Sequence, residues 1–135
     1  MRRALLLPVL SLLAAASLAA PPAFAGHGKD EKAAPASYFA LQPLTASAFR
    51  RDGRRGVLTL ETGIQALDPA VMTRAQQSEP RLRAAFAQVL MVYASGMPRG
   101  GVPDLDYLGA KMQAVADQVI GRKGARVLLG TALMN

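Results

Sequence analysis

Charge is concentrated in one short stretch, Arg50-Arg51-Asp52-Gly53-Arg54-Arg55, where four arginines bracket an aspartate and a glycine. A guanidinium is permanently charged and planar, and it donates paired hydrogen bonds to a carboxylate or phosphate. The chemistry on offer is therefore anion recognition. Arginine at all four places, with no lysine, favours bidentate contacts. Two readings stand side by side: a solvated tip whose long side chains splay apart, and a basic finger for lipid headgroups, lipopolysaccharide phosphate or acidic residues of a protein.

Bond-making chemistry is short of side chains. The chain has no cysteine, which excludes disulfides, thiolate metal sites and cysteine nucleophiles. Its one histidine, His27, rules out a histidine triad or a multi-histidine metal site within this chain. A copper site at His27 beside a free Gly26 amine is the alternative to a solvated tail histidine, and no role is assigned. Asp104 and Asp106 follow Gly100-Gly101, but two carboxylates fall short of a calcium cage, and helix capping accounts for them. Glu61 and Glu79 are isolated, so no glycosidase pair is expected. Gly96, Gly100 and Gly101 make no phosphate-binding pattern, and Ser95-Gly96 lacks the flanking glycine of a nucleophile elbow. No catalytic residue, metal or cofactor is expected.

The elements that must position the arginines follow from the pattern around them. Tyr38 to Leu44 places Phe39 and Leu41 at period two, with Pro43 confining it to an edge or strand end. Asp52-Gly53 between extended runs predicts a two-residue type I′ hairpin, which sets Arg51 opposite Arg54 and Arg50 opposite Arg55. Like charges so placed cost about 0.2–1 kcal/mol each. Beyond the turn, Leu58, Leu60 and Ile64 alternate with Thr59, Glu61 and Gly63.

Asp68-Pro69 opens a helix, and Ser78-Glu79-Pro80 either kinks it or starts a second. Leu82, Phe86, Val89, Leu90 and Tyr93 share one helical face. Gly96 to Pro103 breaks that helix, and another runs from Asp104 to Ile120, with Leu105, Leu108, Met112, Val115 and Val119 inward and Gly121 as its stop. Met91, Met97 and Met112 read as core fillers. Ala125 to Met134 reads as a well-buried strand. The order predicts an α+β domain, with two or three helices on one face of an antiparallel sheet.

The chain is 135 residues long with a formal charge of +7, which suits one small domain. Met1-Arg2-Arg3, the apolar run Ala4 to Ala20 and Ala23-Phe24-Ala25 have the layout of a secretory signal peptide over residues 1–25, cleaved before Gly26. An uncleaved membrane anchor is the alternative. Residues 26–37 read as a flexible linker and 38–135 as the domain. Without Arg2 and Arg3 the 16 basic residues become 14 against 9 acidic ones, a balance of +5. Export to the periplasm makes nucleic acid an improbable partner and points to anionic lipid, cell-wall polymer or an acidic protein face.

The succession of pieces resembles the periplasmic domain of the FliL family of flagellar basal-body-associated proteins. The resemblance spans Phe39 to Leu133. It rests on Tyr38-Phe39-Ala40-Leu41-Gln42-Pro43-Leu44, the Asp52-Gly53 turn with its following arginines, and Val57-Leu58-Thr59-Leu60-Glu61-Thr62. It continues through Pro80-Arg81-Leu82-Arg83 running into Ala84 to Ala94, then an amphipathic helix and Val127 to Met134. The resemblance implies a stomatin-type (SPFH-like) fold, self-association into rings, support of the ion-driven stator units and no enzymatic activity. Family members generally keep a transmembrane helix ahead of this domain. Here the N-terminus looks cleavable, and losing the anchor would make recruitment by another protein necessary. The expected function is a non-catalytic periplasmic protein at the flagellar motor. The alternative is a soluble periplasmic module that binds anionic envelope components through Arg50, Arg51, Arg54 and Arg55.

Intact-mass analysis after cell fractionation tests the processing step. A mass beginning at Gly26 in the soluble periplasm is expected, whereas a full-length mass in the inner membrane would identify an anchored protein.

Overall fold

Residues 37–135 are described by a computed structural model. The signal segment, His27 and all but the last residue of the expected linker lie outside them. The elements are β1 (Tyr38–Ala40), β2 (Leu44–Phe49), β3 (Arg55–Ala66), α1 (Pro69–Gln77), α2 (Glu79–Gly96), α3 (Leu105–Ile120) and β4 (Ala125–Met134). The fold is α+β, a four-stranded antiparallel sheet with three helices.

The sheet is organised around β3. Its residues pair with β2 from Arg55 to Leu60 and with β1 from Gly63 to Gln65, while β4 pairs along most of its length. Leu60 pairs with both Leu44 and Ala132, and Gly63 with both Ala40 and Leu128, so β1 and β2 share one edge of β3 and β4 takes the other. Pro43 lies in the gap between β1 and β2, where a residue without an N–H interrupts no ladder. Leu41 N, donating to Thr62 O at 2.9 Å, carries the pairing across.

Alternation gives the sheet a dry face. Leu58, Leu60 and Ile64 from β3 are buried as expected, and Leu44, Ala46 and Ala48 from β2 join them. α2 packs on β2, α3 on β4 and α1 against β3. Each long helix contributes a stripe at every fourth residue: Leu82, Phe86, Leu90 and Ala94 from α2, and Leu108, Met112, Ala116 and Ile120 from α3. Caps hold the helix ends. Asp68 accepts from Ala70 N at 2.8 Å and Asp104 from Tyr107 N at 3.0 Å, while Gly121 stops α3 in the left-handed region at φ 71°. Arg74 Nε donates to Ile120 O at 2.6 Å, placing positive charge at an α3 C-terminus that has no basic residue in its own last turn.

Of the two readings at Ser78-Glu79-Pro80 the structure takes the second, with Ser78 separating two helices, α1 and α2. Several other expectations are corrected. Val89 and Tyr93 are only half-buried, because their side of α2 turns toward the gap between α2 and α3. Leu105 is 37% exposed and Met91 49% exposed, since both lie off the stripes that face the sheet. β4 is half-exposed along its length, being an edge strand with one face to solvent. It also carries a bulge, since Leu60 pairs with Ala132 but Thr62 with Leu129. Glu61 Oε2 accepts from Thr131 N at 3.2 Å there, taking up a donor that the bulge frees.

The turn is corrected as well. Arg50 N donates to Arg54 O at 2.9 Å and Gly53 N donates to Arg50 O at 3.0 Å, so Arg51-Asp52-Gly53 forms a three-residue loop. Gly53 sits at φ 77°, the left-handed position that closes such loops. Asp52 Oδ1 accepts from Arg54 N at 3.0 Å, and this bond favours the longer loop over the type I′ turn. Arg50 therefore faces Arg54, and Arg55 faces Phe49.

Phe86, fully buried between α2 and the sheet, tests this arrangement. Phe86→Ala is expected to cost about 3–5 kcal/mol in urea unfolding. Met91→Ala on the exposed side of the same helix is expected to cost less than about 0.5 kcal/mol.

Candidate functional site

Two turns meet at one end of the domain. The first is the hairpin loop Arg51-Asp52-Gly53. The second follows α2, where Gly101 N donates to Pro98 O at 2.9 Å and Gly100 has φ 66°. Positive φ at the third turn residue is the requirement of a type II turn, and it places Arg99 at the apex.

The turns are joined by backbone. Gly100 N donates to Phe49 O at 3.1 Å, using a carbonyl that the Phe49–Arg55 pairing leaves free on the outer edge of β2. The approach is close. A β-carbon at Gly100 would lie 2.7 Å from Arg51 Cβ and 2.9 Å from Arg51 Cα. Only glycine fits this place.

Arg99 then joins the arginines of the hairpin. Its guanidinium carbon lies 5.8 Å from the centroid of the Phe49 ring, a cation–π contact. A β-carbon built on Gly53 would sit 3.6 Å from Arg99 Nη1, so the side chain reaches past the hairpin tip. Arg50, Arg51, Arg54, Arg55 and Arg99 are all exposed. Side chains alternate along paired strands, so the Arg50–Arg54 pair and the Phe49–Arg55 pair project to opposite faces. The end of the hairpin is thus positive on both faces. Asp52 is the one carboxylate in the loop, and its Oδ1 is engaged by Arg54 N.

The structure therefore brings together all four arginines singled out in the sequence and adds a fifth. Arg99 and its support Phe49 were not legible beforehand. Gly100-Gly101 between Pro98 and Pro103 marks a loop, but nothing in the pattern says that the loop returns to the hairpin. The acidic residues do not assemble. Asp104 caps α3, Asp106 lies in its first turn, Glu61 serves the β4 bulge and Glu79 opens α2. Among the described residues no group of three or more histidine, cysteine, aspartate or glutamate side chains is placed to hold a metal ion. No helix among them is long and apolar enough to cross a membrane.

The arrangement can present guanidinium groups to an anionic surface from a braced platform. The bracing preorganises the backbone, so contact would order mainly side chains. No family model, curated protein or solved structure matches the chain.

Gly100 and Gly96 give a paired test of the brace. Gly100→Ala is expected to lose about 1–3 kcal/mol in chemical denaturation, through positive φ and the clash with Arg51. Gly96→Ala, where a β-carbon meets nothing within 4 Å, is expected to be neutral or to gain up to about 1 kcal/mol.

Proposed function

We propose that the chain is a non-catalytic, FliL-like periplasmic protein that engages anionic surfaces of partner proteins through its arginine-bearing tip. The observation that carries this reading is the joining of Arg50, Arg51, Arg54, Arg55 and Arg99 on two glycine-dependent turns held together by the Gly100–Phe49 bond. Self-repulsion among the guanidiniums is relieved when carboxylates or phosphates arrive. The complex is accordingly salt-sensitive.

The resemblance extends the proposal to context. It supports a stomatin-type fold, self-association, and a place at the flagellar motor where the acidic partner would be a motor or stator protein. The binding character of the reading rests on side-chain chemistry. One histidine and no cysteine leave little for catalysis, while 16 basic residues against 9 acidic ones suit an anionic partner. A second reading follows from the same tip, because arginine pairs with phosphate as readily as with carboxylate. In it the partner is an anionic component of the envelope, with no motor protein involved.

The double variant Arg51→Glu with Arg54→Glu tests both. In cells, at least tenfold weaker co-purification with motor proteins and reduced swimming are expected, with thermal stability unchanged. Unchanged partner binding would exclude the tip as the contact. Binding of the unaltered protein to anionic vesicles, lost in the double variant while swimming is normal, would select the envelope reading.

A further inference from the structure

On the side of α2 and α3 away from the sheet, a groove of about 810 Å³ runs between the helices to the loop that joins them. Its size falls within the roughly 300–1,000 Å³ typical of small-molecule sites. It borders the arginine tip through Pro98 and Gly101 of the turn after α2, and Met97 of the core lines it too, but none of the five arginines does.

The groove is asymmetric along its length. At the loop end Val102, 88% exposed, and Val92, 62% exposed, present apolar surface that nothing in the described chain covers. Tyr93 and Tyr107 form the middle, with ring centroids 5.8 Å apart. Tyr93 Oη accepts from Asp104 N at 2.6 Å, which fixes that ring against the start of α3. Farther from the loop come Gln88 from α2 and Lys111 from α3, each able to donate hydrogen bonds into the same groove. The Lys111 ammonium lies 5.5 Å from the centroid of the Tyr107 ring.

Charge sets a direction. Asp104 lines the loop end, and its carboxylate repels an anion there while capping α3. Lys111 is the one cationic side chain on the lining. An occupant that satisfies both ends is apolar along most of its length and carries its negative charge beside Lys111.

The geometry points to a binding site for a single-chain fatty acid, its alkyl body lying on Val92, Tyr93, Tyr107 and Val102 and its carboxylate meeting Lys111 and Gln88. Both side chains are hydrogen-bond donors, the ammonium supplying the charge that a carboxylate needs. The Tyr107 ring beside the ammonium holds Lys111 over the groove, where its charge is available to an anionic headgroup.

Tyrosine emission reports occupancy directly, because the chain has three tyrosines and no tryptophan and two of the three line the groove. The full chain is titrated with dodecanoate below its micelle threshold, and with dodecanol and dodecyltrimethylammonium as headgroup controls. Saturable binding is expected, strongest for dodecanoate and weakest for the ammonium compound. Lys111→Glu is expected to weaken dodecanoate at least tenfold while changing dodecanol less than threefold. Val92→Gln weakens both ligands. Both substitutions are at exposed helical positions, and an unchanged melting temperature confirms the fold. Absence of saturable binding, or equal affinity in the parent and both variants, would overturn the site. So would binding of an acidic amphipathic helical peptide, sensitive to both substitutions, in place of dodecanoate; the groove would then be a peptide site. The Arg51→Glu, Arg54→Glu double variant is expected to bind dodecanoate normally. Loss of binding there would move the site to the tip and overturn the groove assignment.

Discussion

Among the described residues each of the other strands pairs with β3 and with no other strand, so the sheet exists only as far as β3 holds its place. That constraint explains the distribution of residues along it. Leu58, Leu60 and Ile64 are fully buried because the sheet has one dry face and β3 is its middle strand. Opposite them, Gly63 is overlaid by the Tyr38 side chain, whose ring occupies the space where a β-carbon would be. Thr62 is the exception. Its Oγ1 is buried without a hydrogen-bond partner among the described residues, beside the irregularity in the β4 pairing, and nothing in the structure offsets that cost.

The arginines divide by whether a carbonyl lies within reach. Arg74 and Arg81 donate to Ile120 O and Val119 O, so they close the end of α3 and belong to the fold. The arginines of the hairpin have no such acceptor among the described residues, and the backbone beneath them is instead held by glycine geometry. The same residue type thus serves as mortar at one place and stands exposed at another. Composition alone cannot separate the two.

What could be read from the chain was whatever depended on local chemistry. Strand alternation at Leu58 to Ile64, the caps Asp68 and Asp104, the stop at Gly121 and the final strand were all legible, because each is decided within a few residues. One miss was local: the hairpin register turned on whether Asp52 would bind Arg54 N, a choice between turns of similar energy. The others came from distance. The exposure of β4 depended on its being an outer strand. The Gly100–Phe49 contact required knowing that the loop after α2 folds back onto β2. Of the five arginines at the tip, the four adjacent in sequence were visible and the one delivered by topology was not.

The pairing of β4 with β3 spans the whole helical segment, since Ala66 and Ala125 are partners across residues 67–124. Hairpin and helices can form from near neighbours within microseconds, whereas this ladder must wait for a long loop to close. During that interval one edge of β3 is an open row of amides and carbonyls beside uncovered Leu58, Leu60 and Ile64. The pairing with the longest loop to close is therefore also the one that covers an open strand edge, the kind of edge at which unfinished chains pair with one another.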